Sequence, residues 1–287
     1  MSILYGNQNV DERYSPIVEP NLYTDDVLIP GVTFTAKYSL GPAGQIFVHQ
    51  IDKKTVAVGT PGRDFSDVAA DDTLIPIALN NNYQQSRKLY GVQANAVAFD
   101  MGEEYLSDAI RTVREARRYS ALACMATEGT AYSSTSAVST ADGAVATLLA
   151  LRKTVKDAHG EANFALVNTA IYALLLEKIG FAEVYDPAVR TAELMRRYGL
   201  TIIECNGFDE DEAEYYNSSG NKVTVDLTGV EMIVGYSEAF SLVDNLEVMR
   251  IVDSEMFAGS KAQVEINSGM KVTSQAQIVV KKSKASI

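Results

Sequence analysis

The chain has only two cysteines and two histidines in 287 residues. Cys124 and Cys205 cannot make a disulfide framework or a four-ligand zinc site. They sit in "ALACMAT" and "TIIECN", so buried free thiols in a reducing compartment are expected. His49 and His159 have no second His, Cys or carboxylate at metal-ligand spacing. G-x-S-x-G, the P-loop, G-x-G-x-x-G and H-E-x-x-H are missing too. No apolar run approaches the roughly 18 residues that a membrane span needs. The opening "MSILYGNQNVDERYSP" has neither a basic n-region nor an apolar h-region, so no secretory signal is expected and the chain should stay where it is made. Positive charge is short as well: 25 Lys and Arg stand against 37 Asp and Glu, a net charge of −12. That balance argues against nucleic acid as a tightly held ligand, since neutralising phosphates takes Lys and Arg. The small basic clusters Arg114–Arg117–Arg118, Arg196–Arg197 and Lys281–Lys282–Lys284 read as a solvated helix face and a charged tail. No catalytic, cofactor-binding or metal-ligating constellation emerges, and no enzyme is expected.

What is present is a sizeable core and an unusual order of elements. Hydrophobic residues make up 47% of the chain, enough for one large domain or two closely connected ones. Residues 1–32, rich in Asn, Asp, Pro and Tyr, read as an extended arm that needs something to lie on. "TFTAKYSL" alternates like a strand and Gly41-Pro42 breaks it. "GQIFVHQI" and "TLIPIALN" read as the two sides of a ribbon that turns at "GTPGRDF", and Pro76 confines its strand to an edge or interrupts it.

"GEEYLSDAIRTVREARRYSALACMATEG" is the longest predicted helix, roughly 35–40 Å, ending at Gly129. Its stripe of Leu106, Ala109, Ile110, Val113, Ala116, Ala123 and Cys124 is narrow, which suits a helix lying across a surface. A second helix, "ADGAVATLLALRKTVKD", should turn Val145, Leu148, Leu149 and Val155 inward. "NFALVN" is a short buried strand, and "TAIYALLLEKIG" a helix capped at Asn168 or Thr169. "LTIIECN" and "VEMIVGY" are further strands, with "DEDEAEYYNSSGNKV" a polar insertion between them. The last segment is nearly all strand, with turns at "AGSK" and "NSG". The class is α+β, and the first and last parts are expected to share a sheet.

Two acidic stretches could be cation loops. "DEDE", Asp209 to Glu212, lacks the alternating oxygens and central glycine of an EF-hand, and a solvated loop is the plainer reading for it and for Asp71–Asp72. "NSS" at Asn217 matches the glycosylation sequon, by chance where no secretory route exists. An arm, a ribbon and a narrow-striped helix are each incomplete alone. A two-stranded ribbon is marginal in water, and an arm gains nothing by ordering unless it docks. Copies of the chain completing one another is the economical explanation.

That order resembles the major capsid proteins of tailed bacteriophages, the Hong Kong 97-like fold. The resemblance rests on "LIPIALNNNYQQSRKLYGVQANAVAFDMGEEYLSDAIRTVREARRYSALACMATEG", on "NFALVNTAIYALLLEK" with "RRYGLTIIECNGF", and on "VGYSEAFSLVDNLEVMRIVDSEMFAGSKAQVEINSGMKVTSQAQIVVKK". It implies an N-terminal arm (1–32), a peripheral-domain strand (33–45) and an extended loop (46–78). A peripheral domain with a spine helix at about 101–128 would follow (79–138), then an axial α/β domain (139–243) and peripheral return strands (244–287).

The implied function is a subunit that self-assembles as pentamers and hexamers into an icosahedral shell around a double-stranded DNA genome, bound without sequence specificity. Its partners would be itself, a separate scaffolding protein, a portal and a decoration protein, with no membrane. It would be assembled in the host cytoplasm and located in the virion. An encapsulin-like compartment around a cargo enzyme is the alternative. Thr60, Pro61, Gly62, Arg63, Asp64 and Phe65, at the loop turn, would contact a neighbour. Asp209, Glu210, Asp211, Glu212 and Glu214 would project from the end of a sheet toward the capsomer axis. Some relatives crosslink through a loop lysine, and Lys53 and Lys54 lie in that loop. The reaction needs a desolvated carboxylate beside both partners, and lysines near a ribbon turn are commonplace.

Overall fold

A computed structural model describes residues 45–51, 72–90, 101–179, 194, 197–253 and 256–283. The arm, the strand expected over 33–40, the loop turn Thr60–Phe65 and Lys53–Lys54 lie outside the described residues.

Two sheets share one long helix. In the first, β3 (Asn81–Tyr90) and β10 (Phe240–Asp253) flank β11 (Gly259–Val272), all antiparallel. The early and late parts of the chain thus pair as expected. The stretch "NSG" is no turn: Asn267, Ser268 and Gly269 run inside β11. The second sheet has five strands in the order β4 (Thr130–Ala131), β12 (Ile278–Lys282), β9 (Val230–Gly235), β5 (Phe164–Val167), β6 (Thr201–Glu204). The residues 244–287, expected to return as one unit, therefore divide, because β12 inserts between β4 and β9.

The five-stranded sheet is apolar on both faces, and the two-residue period of a strand assigns each side chain to one of two clusters. Ala165, Val167, Ile202, Met232, Val234 and Val279 face α2 (Ala141–Asp157) and α3 (Thr169–Ile179). Helix α2 turns in Ala144, Leu148, Leu151 and Val155, with Thr140 accepting from the Gly143 amide at its start. The inward face is rotated from the expected one, and Leu149 is 44% exposed. Helix α3 starts at Asn168, whose Oδ1 accepts from the Ile171 amide at 2.8 Å.

On the other face lie Phe164, Leu166, Ile233, Ile278 and Val280. They pack against the C-terminal third of α1 (Met101–Glu128), where Ala121 to Ala126 are all buried. Nearer its start, α1 lays Leu106, Ala109, Ile110 and Val113 on Val264 and Ile266 of β11. Each fully buried Leu, Ile or Val among these contributes roughly 1.5–3 kcal/mol. A helix merely lying across a surface was expected; its last third is enclosed instead. Ala116, expected inward, is exposed, and Arg117 beside it is buried.

Lys281 also departs from expectation. It is no part of a solvated tail: it is 1% exposed in β12. Its Nζ donates to the Ser136 carbonyl at 2.7 Å and lies 3.5 Å from Glu231 Oε2. Glu231 Oε1 accepts from the Val138 amide at 3.0 Å. This buried pair pins the Ser/Thr-rich connection between β4 and α2 to the sheet. Burial also lowers the pKa of the neighbouring Lys282. Removing one member of a buried pair leaves the other charge uncompensated, at about 3–5 kcal/mol. Lys281→Met should therefore lower unfolding stability by about that amount in urea titration, and Lys281→Met with Glu231→Met should recover part of the loss.

Candidate functional site

The ribbon forms from β1 (Gln45–Ile51) and β2 (Asp72–Ala78), which pair antiparallel from Gln45–Ala78 to Ile51–Asp72. It is a two-stranded sheet, so Pro76, which has no N–H to donate, sits on an edge. The root is anchored: Ile77 is fully buried and Ala78 nearly so. Val48, opposite Ile75, is buried too, while Leu74 one pair further out is 51% exposed. Beneath it opens a cleft of about 630 Å³, lined by Leu74, Ile75, Pro76, Glu128, Ser218 and Lys271 among others.

The wall of that cleft is the segment read from sequence as a polar insertion. After a 3-10 turn at Asn206–Asp209 the chain makes a β-hairpin, β7 (Ala213–Tyr216) with β8 (Lys222–Val225). Gly220 supplies the positive φ of 78° in its turn. Ala213 and Tyr215 are buried against α1, and Ser120 Oγ donates to the Glu214 carbonyl at 2.6 Å. The alternation in "AEYY" and "KVTV" around "NSSGN" is a hairpin signal that the neighbouring charge obscured.

The acidic residues lead into this hairpin. Asp209, Asp211 and Glu212 are exposed, Glu210 is half-buried, and Glu214 pairs with Lys222 at 2.7 Å across the hairpin. Glu210, Glu212 and Glu214 line a smaller cleft with Asn81, Tyr83, Tyr119 and Tyr216. They lie along the flank of α1 and β3. His159 is exposed just past α2, with a left-handed φ of 62°. His49 is in β1, paired with Leu74.

The titratable groups of the region are built into structure. Burial, then the nearby Glu128, pushes the Cys124 thiol well up, so it stays protonated and is a poor nucleophile. Burial likewise pushes up the Tyr215 phenol. Glu128 accepts from the Val272 amide at 3.0 Å, yet burial still raises its carboxyl above the usual 4.5. Lys271 donates to Ser218 Oγ at 3.1 Å. Among the described residues no group of three or more His, Cys, Asp or Glu could hold a metal ion.

The sequence matches no protein-family model. It matches no curated protein either. Solved structures do match. A structure described as the capsid of the cyanophage P-SCSP1u aligns over 87% of this chain and 86% of its own, with a TM-score of 0.66 at 13% identity. The fold is that of phage capsid proteins. A chain from Mycobacterium phage Che8 aligns over 85% of this chain and 86% of its own, with a TM-score of 0.57 at 16% identity. A virus-like particle from Pyrococcus furiosus shares it over 83% and 86%, with a TM-score of 0.54 at 14% identity.

A pH prediction follows from Glu128. The folded chain holds the carboxyl proton to higher pH than the unfolded chain does, so the ionised group opposes folding above the raised pKa. Glu128→Gln can still accept from the Val272 amide. The variant should be more stable than the parent at pH 7. That gain should shrink as pH falls through the raised pKa and vanish below about 4.5. Thermal melts across pH 4–8 check it.

Proposed function

We propose that this chain is the repeating subunit of a closed protein shell, the major capsid protein of a tailed phage, arranged in the Hong Kong 97-like manner. In this reading α1 is the spine helix, β3, β10 and β11 form the peripheral sheet, and the five-stranded sheet with α2 and α3 is the axial domain. The ribbon β1–β2 is the root of the extended loop, whose turn Thr60–Phe65 would contact a neighbour.

The observation that carries the proposal is the ribbon. Its strands pair only with each other among the described residues, and it overhangs a cleft with Leu74 exposed. An isolated ribbon of this kind is marginal in water, and a neighbouring copy would complete it. The fold shared with phage capsids supports the reading. Subunits would gather as pentamers and hexamers around double-stranded DNA, in the virion after assembly in the host cytoplasm. A separate scaffolding protein, a portal and a decoration protein would be further partners.

The net charge of −12 suits a wall that must not grip the DNA it holds. In this reading Asp209, Glu210, Asp211, Glu212 and Glu214 would approach the capsomer axis, and Glu210, Glu212 and Glu214 also line the cleft beside α1. An encapsulin-like compartment would use the same fold, and the contents of purified particles separate the two.

Obligate interfaces of such a shell bury on the order of 2,000 Å² or more. Deleting Thr55 to Asp71 and closing the ribbon with a short turn should leave the melting temperature of the dispersed subunit nearly unchanged and abolish large particles in light scattering. A deletion that unfolds the subunit would place the ribbon in the subunit's own core and defeat the proposal.

A further inference from the structure

The ribbon and the body are joined by two residues, Leu79 and Asn80, between the end of β2 and the start of β3. Such a joint would be loose if nothing held it, but two independent contacts do. On one side the ribbon root rests on Gly269, inside β11. A Cβ there would stand 2.9 Å from the Ala78 carbonyl oxygen and 3.0 Å from Ile77 Cγ2. Backbone and side chain approach that closely only because residue 269 is glycine. On the other side Asn81, 2% exposed, closes a two-way bond with the hairpin. Its Oδ1 accepts from the Tyr216 amide at 2.7 Å, and its Nδ2 donates to the Tyr216 carbonyl at 3.2 Å. Asn80 Nδ2 adds a bond to the Asn217 carbonyl at 3.2 Å. The hairpin is itself fixed to α1 through Ser120 and the buried Tyr215.

We infer that this elbow, seated on Gly269 and latched by Asn81, sets the angle at which the ribbon leaves the body and so the curvature of the assembled shell. The inference rests on the shell reading above. Asn81 and Gly269 are positioning residues here: they touch their own subunit, and the ribbon carries their effect to the neighbour. The leverage is considerable. A seven-residue strand is about 20 Å long, so a tilt of about 10° at the elbow moves its far end by about 3–4 Å. A displacement of that size is enough to change which contact a neighbour offers.

The test compares particles assembled by the full-length parent with those of Asn81→Ala, Gly269→Ala and the control Gly235→Ala, measuring diameters by electron microscopy. Gly235 is equally confined, 2.9 Å from Phe164 Cζ for an added Cβ, but lies in the five-stranded sheet away from the elbow. Asn81→Ala and Gly269→Ala should shift or broaden the diameter distribution, or yield open sheets. Gly235→Ala should give the parent diameter at lower yield. Unchanged diameters in both elbow variants, or an equal shift in the control, would overturn the inference while leaving the shell reading intact. A parent that forms no particles would overturn both. If both elbow variants fail to fold, amide exchange of the parent decides. A closed latch makes the Tyr216 amide exchange as slowly as those of β11, and fast exchange at Tyr216 overturns it.

Discussion

The structure depends on one helix belonging to two cores. Helix α1 gives Leu106, Ile110 and Val113 to the three-stranded sheet and its run from Ala121 to Ala126 to the five-stranded one. A side chain larger than alanine or cysteine at several of these last positions would hold sheet and helix apart. That explains why a helix so rich in alanine is nevertheless enclosed. The hairpin β7–β8 adds Ala213 and Tyr215 to the same buried cluster.

From that joint the rest of the geometry follows. Because the hairpin is fixed on α1, its rim is a stable wall for Asn81 to bond. Because β11 is fixed under α1, Gly269 is a stable seat for the ribbon root. The ribbon is thus rigidly mounted and incompletely buried, which is what an element that completes itself on a neighbour requires. The chemistry nearby agrees: the Cys124 thiol is kept neutral by burial, and Glu128 and Lys271 hold a β11 amide and a hairpin hydroxyl.

Much of the fold was legible where one local signal dominated. "NFALVN" reads as a buried strand because four apolar residues stand between polar ends, and Asn168 caps α3 by the chemistry of its own side chain. What failed to read depends on partners distant in sequence. Lys281 looks like a solvated lysine until Glu231 and the Ser136 carbonyl, both far along the chain, surround it. "NSG" looks like a turn because its glycine is conspicuous, and the ribbon root that needs that glycine lies about 190 residues earlier. Ala116 and Arg117 exchanged roles because helical period alone cannot say where a second layer covers the helix. The acidic hairpin was masked by its own charge: in β7 the buried Ala213 and Tyr215 alternate with the exposed Glu214 and Tyr216.

The claim that unites these features is that the subunit is built to be completed by copies of itself. Negative-stain electron microscopy of the purified full-length chain, over a range of salt and protein concentration, tests it most directly. The account predicts closed, roughly spherical particles of uniform diameter. Dispersed particles no larger than a single 31.1 kDa chain under every condition would contradict it.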